Sequence, residues 1–269
     1  MNSPTLLREL DEHGVLLLTF NRPERNNGWI LELEEAYFES LLEAAADPAV
    51  RVVVVTGAGR TFCPGLDMHA LEASSNGVRL SDQPRRSMLM ARQFPKPLIA
   101  AVNGACAGIG FIQAACADMR FAADTAKFTT AFARRGLPAE NGLSWLLQRL
   151  VGTGVAADLL LSARVVLAPE ALSLRLVERV FPAHSLLAET MAYARDVAAN
   201  TSTEATIMIK RQLADDHDRT LDDSRRASLQ LMAAMGAHPD FREGVQSFID
   251  KRSPSFVGVS AEMPETREG

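Results

Sequence analysis

Residues 98–117 form a run of 20 without a single charge, and Lys96 and Asp118 stand just outside it. Two structures are open to such a run. A helix of about 20 apolar residues can cross a bilayer, and Gly104 and Gly108 even make the G-x-x-x-G spacing of packed membrane helices. The polar Asn103 and Gln113, the mostly small side chains and a glycine as late as Gly110 favour the other solution. It is a buried strand over 98–103, a glycine-rich turn, and a helix to about 117.

The rest of the chain extends that pattern. Residues 15–20 read as a buried strand closed by the turn signal Asn21-Arg22-Pro23. Residues 31–46 carry leucines and alanines at helical spacing, and Asp47-Pro48 ends the helix. The β-branched run 52–55 suits a strand covered on both faces, with a turn at 56–59. Residues 71–84 are polar and predict a loop; 81–94 predict a helix, stopped by Pro95-Lys96-Pro97. Short strands are expected at 119–122, 127–129 and 176–181, and helices at 141–150 and 155–161. Beyond His184 the pattern is helical alone, over 186–199, 204–216, 221–235 and 241–251. Alternation followed by helices implies an α/β fold with a mostly parallel sheet built from crossover units. The expected organisation is a core domain over 1–183, a helical C-terminal oligomerisation region over 184–256, and a polar, disordered tail over 257–269.

Two glycine turns follow apolar strands, one running from Gly57 to Asp67 and one from Asn103 to Gly110. Neither completes the dinucleotide fingerprint G-x-G-x-x-G. Phe62 takes the third glycine's place after Gly57 and Gly59, and Gln113 takes it after Gly108 and Gly110. Glycine also lets a backbone approach a ligand closely. A strand-to-helix turn presents free N–H groups with a favourable dipole behind them. Two such turns facing each other could hold one oxygen that becomes negative during a reaction, although two tight turns in an α/β sheet need no such role.

The formal net charge of -5 gives no footprint for nucleic acid or an anionic membrane. Three cysteines, Cys63, Cys106 and Cys116, show no paired spacing and fit a reducing, cytoplasmic compartment rather than a disulfide framework. The first dozen residues alternate apolar and charged types and lack the apolar core of a signal peptide.

Taken as a set, several segments resemble the enoyl-CoA hydratase/isomerase (crotonase) superfamily. They are Asn21-Arg22-Pro23-Glu24-Arg25-Asn26-Asn27, the run from Gly59 through Phe62-Cys63-Pro64-Gly65-Leu66-Asp67, and Pro95-Lys96-Pro97 through Asn103-Gly104 to Gly110. Gly136-Leu137, Arg149-Leu150-Val151-Gly152 and the stretch from Glu243-Gly244 through Phe248 to Lys251-Arg252 complete them. The resemblance implies a crotonase-like spiral of β-β-α units with a C-terminal helical trimerisation region, assembled as a homotrimer or a dimer of trimers. It implies an acyl-CoA thioester substrate, with coenzyme A part of that substrate and no other cofactor or metal. It also implies an oxyanion hole made by the N–H groups of Leu66 and Ile109, beside Gly65 and Gly108. Arg25 would belong to the CoA pocket, Lys251 would meet CoA phosphates, and Asp67 would act as a structural cap.

The chain departs from its look-alikes at the acid/base positions. Hydration of a conjugated thioester suits two positioned carboxylates, and the positions that align with them here hold Ile112 and Phe132. Glu140 remains, where some isomerase and dehalogenase members carry a catalytic acid; as an alternative it caps the helix that follows. The expected activity is of the hydratase/isomerase type, a lyase or isomerase with Glu140 as acid/base. Other enolate chemistry (dehalogenation, C–C cleavage, decarboxylation) and acyl-CoA binding without turnover stay open. Arg134 and Arg135 could meet phosphate or face solvent. His69 reads as a surface residue, Asp215-Asp216-His217-Asp218 as a solvated helix end, and Ser144 lacks a nucleophile context.

Overall fold

The computed structural model describes residues 3–75, 85–264 and 267–268. A hairpin of β1 (Leu6–Leu10) and β2 (Val15–Phe20) opens the chain, and the Asp11 carboxylate closes its turn by accepting the N–H groups of His13 and Val15. Next come α1 (Leu31–Ala46), β3 (Val52–Gly57), β4 (Thr61–Cys63), α2 (Met68–Ser75) and β5 (Arg85–Arg86). Then β6 (Leu98–Val102), β7 (Ala105–Ala107), α3 (Ile109–Cys116), β8 (Met119–Ala123) and β9 (Lys127–Thr129) follow. The remaining elements are α4 (Leu143–Val151), α5 (Thr153–Ser162), β10 (Val166–Leu167), α6 (Ala168–Ser173), β11 (Arg179–Phe181), α7 (Leu186–Asn200), α8 (Thr203–Asp215), α9 (Leu221–Gly236), α10 (Pro239–Asp250) and β12 (Arg267–Glu268).

Strands sort into a six-stranded sheet, β1-β2-β3-β6-β8-β11, and a four-stranded one, β10-β9-β7-β4. From β2 to β11 the larger sheet is parallel throughout, with Val15 opposite Val52 and Val53 opposite Leu98. Each of β3, β6 and β8 leaves it and turns at once into a strand of the smaller sheet: β4, β7 and β9. That repeated step is the β-β-α spiral, and it explains why the apolar runs are short and end in tight turns. Asn103 holds one such corner. Its amide donates to the carbonyls of Gly57 and Gly59 at 2.8 and 3.1 Å and accepts the Gly57 N–H, binding the end of β6 to the end of β3.

The uncharged run is buried as a strand, turn and helix, and among the described residues no helix is long and apolar enough to cross a membrane. β3 and β6 are buried along their whole length. Phe20, Trp29, Tyr37, Phe38 and Phe62 pack into one aromatic cluster with centroids 5.3–6.4 Å apart, mostly edge to face.

Several expectations need correction. β1 went unpredicted because an edge strand with one buried position and charged partners shows little apolar signal. Residues 68–75 form a helix where 71–75 read as loop; 76–84 lie outside the described residues. Residues 85–94 hold a two-residue strand and a 3-10 turn instead of the predicted helix. Arg85 and Arg86 there pair with Glu34, Glu35 and Glu39 of α1 and their backbone pairs with β12, contacts that local spacing does not show. α7 lies over β2, β3, β6 and β8 with Ala194 and Ala198 buried, which carries the layer over the sheet past residue 183. Residues 257–264, expected as tail, run against the end of α1. Ala261 N–H donates to the Ala45 carbonyl at 2.9 Å, Ser260 Oγ donates to that of Ala46 at 2.7 Å, and Met263 is buried.

Lys96, read only as part of a helix stop, is fully buried and donates to the carbonyls of Ala44 and Asp47 at 2.9 and 2.6 Å. It thus satisfies the Ala44 carbonyl, which would otherwise be orphaned because Pro48 has no N–H to offer it. Burial pulls its pKa down from 10.5 to about 8, partly offset by Asp47. An unfolded chain therefore binds this proton more tightly, and the group's contribution to stability rises between about pH 8 and 10.5. Lys96→Met should cost about 1–3 kcal/mol in urea unfolding, because it strands the carbonyl of the buried Ala44. The gap between parent and variant should widen as pH rises through that window; a gap that narrows there would contradict the assignment.

Candidate active site

Where β4 and β7 pair in parallel, with Cys63 opposite Cys106, both strands end in glycine turns that face each other. Gly65 has φ +106° and Gly108 has φ +51°, ψ −119°, regions that side chains resist. A Cβ on Gly65 would stand 3.3 Å from the Ala107 carbonyl oxygen, and one on Gly108 would stand 3.6 Å from Gly65 Cα. These turns border a cavity of about 300 Å³. Its wall includes Arg25, Gly65, Leu66, Gly108, Ile109 and Glu140, so six of the seven residues singled out from sequence come together. The seventh, Lys251, is the exposed left-handed cap after α10 and is not on this wall.

Trp29 sets the direction of the Leu66 amide. Its N–H donates to the Gly65 carbonyl at 2.8 Å and its carbonyl accepts the Asp67 N–H at 3.0 Å, a parallel bridge that leaves the Leu66 N–H on the opposite side. Ile109 is the first residue of α3, where helical N–H groups have no intrahelical acceptor. Among the described residues neither the Leu66 nor the Ile109 N–H has an acceptor, and both residues line the cavity. Trp29 is itself fixed by its indole N–H, which donates to the fully buried Glu34 at 2.9 Å, and Glu34 is also held by Arg85. No pattern in the sequence marks that pair, since burial is what makes it matter.

Asp67 caps α2 as expected, accepting the His69 N–H at 3.1 Å, and it binds Arg22 at 3.2 Å and Arg25 at 3.4 Å. Burial pushes its carboxyl up, but the His69 amide and the two guanidinium groups outweigh that and hold it below the usual range. Asn27, fully buried at φ +58°, donates to the carbonyls of Ala58 and Thr61 and accepts the Arg22 N–H, which anchors the turn carrying Arg25.

Glu140 reaches the cavity from a turn of its own. Asn141 and Gly142 have φ +51° and +66°, and the Leu143 N–H donates to the Glu140 carbonyl at 3.0 Å. That is a type I′ turn, the conformation Asn-Gly favours. Burial raises the Glu140 carboxyl pKa above 4.5, and among the described residues its side chain has no ion pair. Of the two positions that align with hydratase glutamates, Phe132 is on the cavity wall and Ile112 is fully buried in α3 behind it.

The remaining candidates fall apart in space. Arg134 donates to the Ser162 carbonyl at 3.2 Å, whereas Arg135 lines the cavity. His69 and Ser144 are exposed, and Asp215 and Asp216 pair with Arg219. Burial pushes the Cys63 thiol up to about 12, which suits packing and not nucleophilic attack. Met68, Leu71 and Leu137 also line the cavity and were not singled out, because apolar wall residues look like any core residue in sequence.

A family model described as "Enoyl-CoA hydratase/isomerase" matches residues 11–259. The 1,2-epoxyphenylacetyl-CoA isomerase of Escherichia coli (strain K12) is 34% identical over 256 residues, spanning 92% of this chain and 96% of that protein. Among solved structures, an enoyl-CoA hydratase from Bacillus anthracis matches with a TM-score of 0.85 at 27% identity, covering 95% of this chain and 100% of the other. The enoyl-CoA hydratase EchA12_1 of Mycobacterium marinum matches with a TM-score of 0.69 at 41% identity, covering 81% and 100%.

Gly108→Ala tests the facing turns. The added methyl has room, so its cost is backbone strain at a positive φ, about 1–3 kcal/mol. Urea unfolding should show that loss, and an unchanged midpoint would mean the turn relaxes freely.

Proposed function

This chain belongs to the enoyl-CoA hydratase/isomerase family, and from that premise we propose that it holds the enolate of an acyl-CoA thioester between the Leu66 and Ile109 N–H groups while Glu140 moves the proton. The observation that carries the reading is the meeting, in one cavity, of two backbone donors without acceptors among the described residues and one half-buried carboxyl group. In this mechanism the thioester oxygen accepts both N–H groups. Glu140 takes a proton from a carbon conjugated to the thioester, and the released electron pair moves into the enolate, whose oxygen the two donors stabilise. Return of the same proton to another carbon of the dienolate shifts the double bond. Each donor of this kind contributes about 3–4 kcal/mol to such a transition state.

One proton carrier suffices for isomerisation. Phe132 and Ile112 supply none for the second proton movement of a two-carboxylate hydration. The reading therefore favours isomerase-type chemistry within the family, and a relative that carries the name isomerase is in keeping with it. Coenzyme A enters as part of the substrate, with Arg25 at the cavity rim as its contact and no further cofactor invoked. Exposed apolar residues on α8 to α10 (Leu213, Met232 and Phe248 among them) support a homotrimer or a dimer of trimers, in which Lys251 would meet a neighbour's CoA. Three buried free cysteines suit a reducing cytoplasm.

Glu140→Gln should lower kcat by about 10²–10⁴-fold and leave the affinity for a saturated acyl-CoA near the parent's. Undiminished turnover would remove Glu140 from the mechanism, and tight binding with no product from any enoyl-CoA would favour a non-catalytic acyl-CoA binder. A raised carboxyl pKa also has a direction in the pH profile. Glu140 must be ionised to take the proton, so kcat/KM should fall on the acid side with a midpoint above 4.5, and that limb should vanish in the Gln variant. Sedimentation equilibrium should return three or six times the chain mass; a monomer at micromolar concentration would remove the assembly.

A further inference from the structure

The cavity holds two arginines, and they are not equivalent. Arg25 is held by Asp67, whose single carboxylate it shares with Arg22, so it is positioned by an ion pair. Arg135 has no acceptor or ion-pair partner among the described residues. A 3-10 turn over Ala133–Arg135 explains the placement, because successive residues there point about 120° apart. Arg134 goes to the Ser162 carbonyl next to α5, and Arg135 comes round to the cavity wall. The same cavity is also lined by the apolar side chains of Met68, Leu71, Phe132 and Leu137. Glu140 does not neutralise it either: no ion pair joins them, and burial alone moves the Glu140 carboxyl, with no opposing pull from a guanidinium.

Accepting the acyl-CoA reading above, we propose that Arg135 makes this cavity selective for thioesters whose acyl chain carries its own carboxylate. Arg135 is five residues from Glu140 on the same loop, while Arg25 stands on the turn between β2 and α1. With Arg135 and Glu140 on one loop at the wall of this cavity, Arg135 is assigned an anion on the acyl chain and the nucleotide is left to Arg25. A guanidinium presents a planar pair of donors that fits a carboxylate. Arg135 is exposed to water in the free chain, so the selectivity comes from what a bound acyl chain does to it. An alkyl chain displaces water from the guanidinium without replacing its hydrogen bonds, whereas a carboxylate replaces them.

Isothermal titration at fixed ionic strength tests this with two saturated thioesters of equal chain length, glutaryl-CoA and pentanoyl-CoA, and with free CoA. The parent protein should bind glutaryl-CoA roughly tenfold or more tightly than pentanoyl-CoA. Arg135→Leu should bring the ratio close to one, and Arg135→Lys should restore part of it. Equal affinities in the parent would overturn the proposal. So would a Leu variant that loses both thioesters and free CoA alike, since Arg135 would then be reading a CoA phosphate. If neither thioester binds the parent, the acyl-CoA reading itself fails; pentanoyl-CoA bound as well as glutaryl-CoA sinks the selectivity alone.

Discussion

A short parallel pairing, β4 beside β7, fixes the distance between the two turns that make the cavity. Each strand has only three residues, and each leaves a longer strand of the main sheet immediately before it. The large sheet supplies the rigidity: β3 and β6 are buried throughout, and the small sheet inherits their spacing. Asn103 locks the corner from which both short strands depart. Trp29 then adds a third backbone to β4's turn and orients the Leu66 amide.

Charges inside the molecule serve the same end. Asp67 is buried and shared by two arginines, Glu34 is buried and shared by Trp29 and Arg85, and Lys96 is buried against carbonyls. Buried ionic groups contribute little net stability, because desolvation offsets their attraction. Their value here is positional. Asp67 and Glu34 tie turns at the cavity to the core, Lys96 ties the end of α1 to the start of β6, and none is interchangeable with an apolar side chain without loosening that tie.

How far the sequence spoke depended on the kind of signal. The three-residue β4 and β7 were hidden inside what read as glycine turns. Strong periodicity and punctuation located α1 and the strands β2, β3, β6, β8 and β9 to within a residue or two, since the spacing of Leu31 to Ala46 and the stop at Asp47-Pro48 are local. The two glycine turns at the cavity were legible for the same reason: glycines after apolar strands describe backbone. β1 and the stretch around Arg85 were not legible. β1 is an exposed edge strand with little apolar signal of its own, and the stretch around Arg85 depends on partners far along the chain, β12 for pairing and the acids of α1 for charge. The Trp29–Glu34 bond was hidden because an acid four or five residues into a helix normally faces water, and only tertiary burial turns it into an anchor. Arg134 and Arg135 could not be told apart until the 3-10 turn gave each a direction.

The Asn141-Gly142 turn that carries Glu140 is separate from the turns that carry Leu66 and Ile109. In the proposed reading, the part that holds charge is main chain and the part that moves protons is one side chain on a detachable loop. Such a scaffold is modular in the way it can diverge. Substitutions at 112, 132 or 140 alter which carbon gains or loses a proton without disturbing how the thioester oxygen is held, so new reactions are reachable by single exchanges while old binding persists. A lineage built on it would be expected to share its glycines more faithfully than its acids.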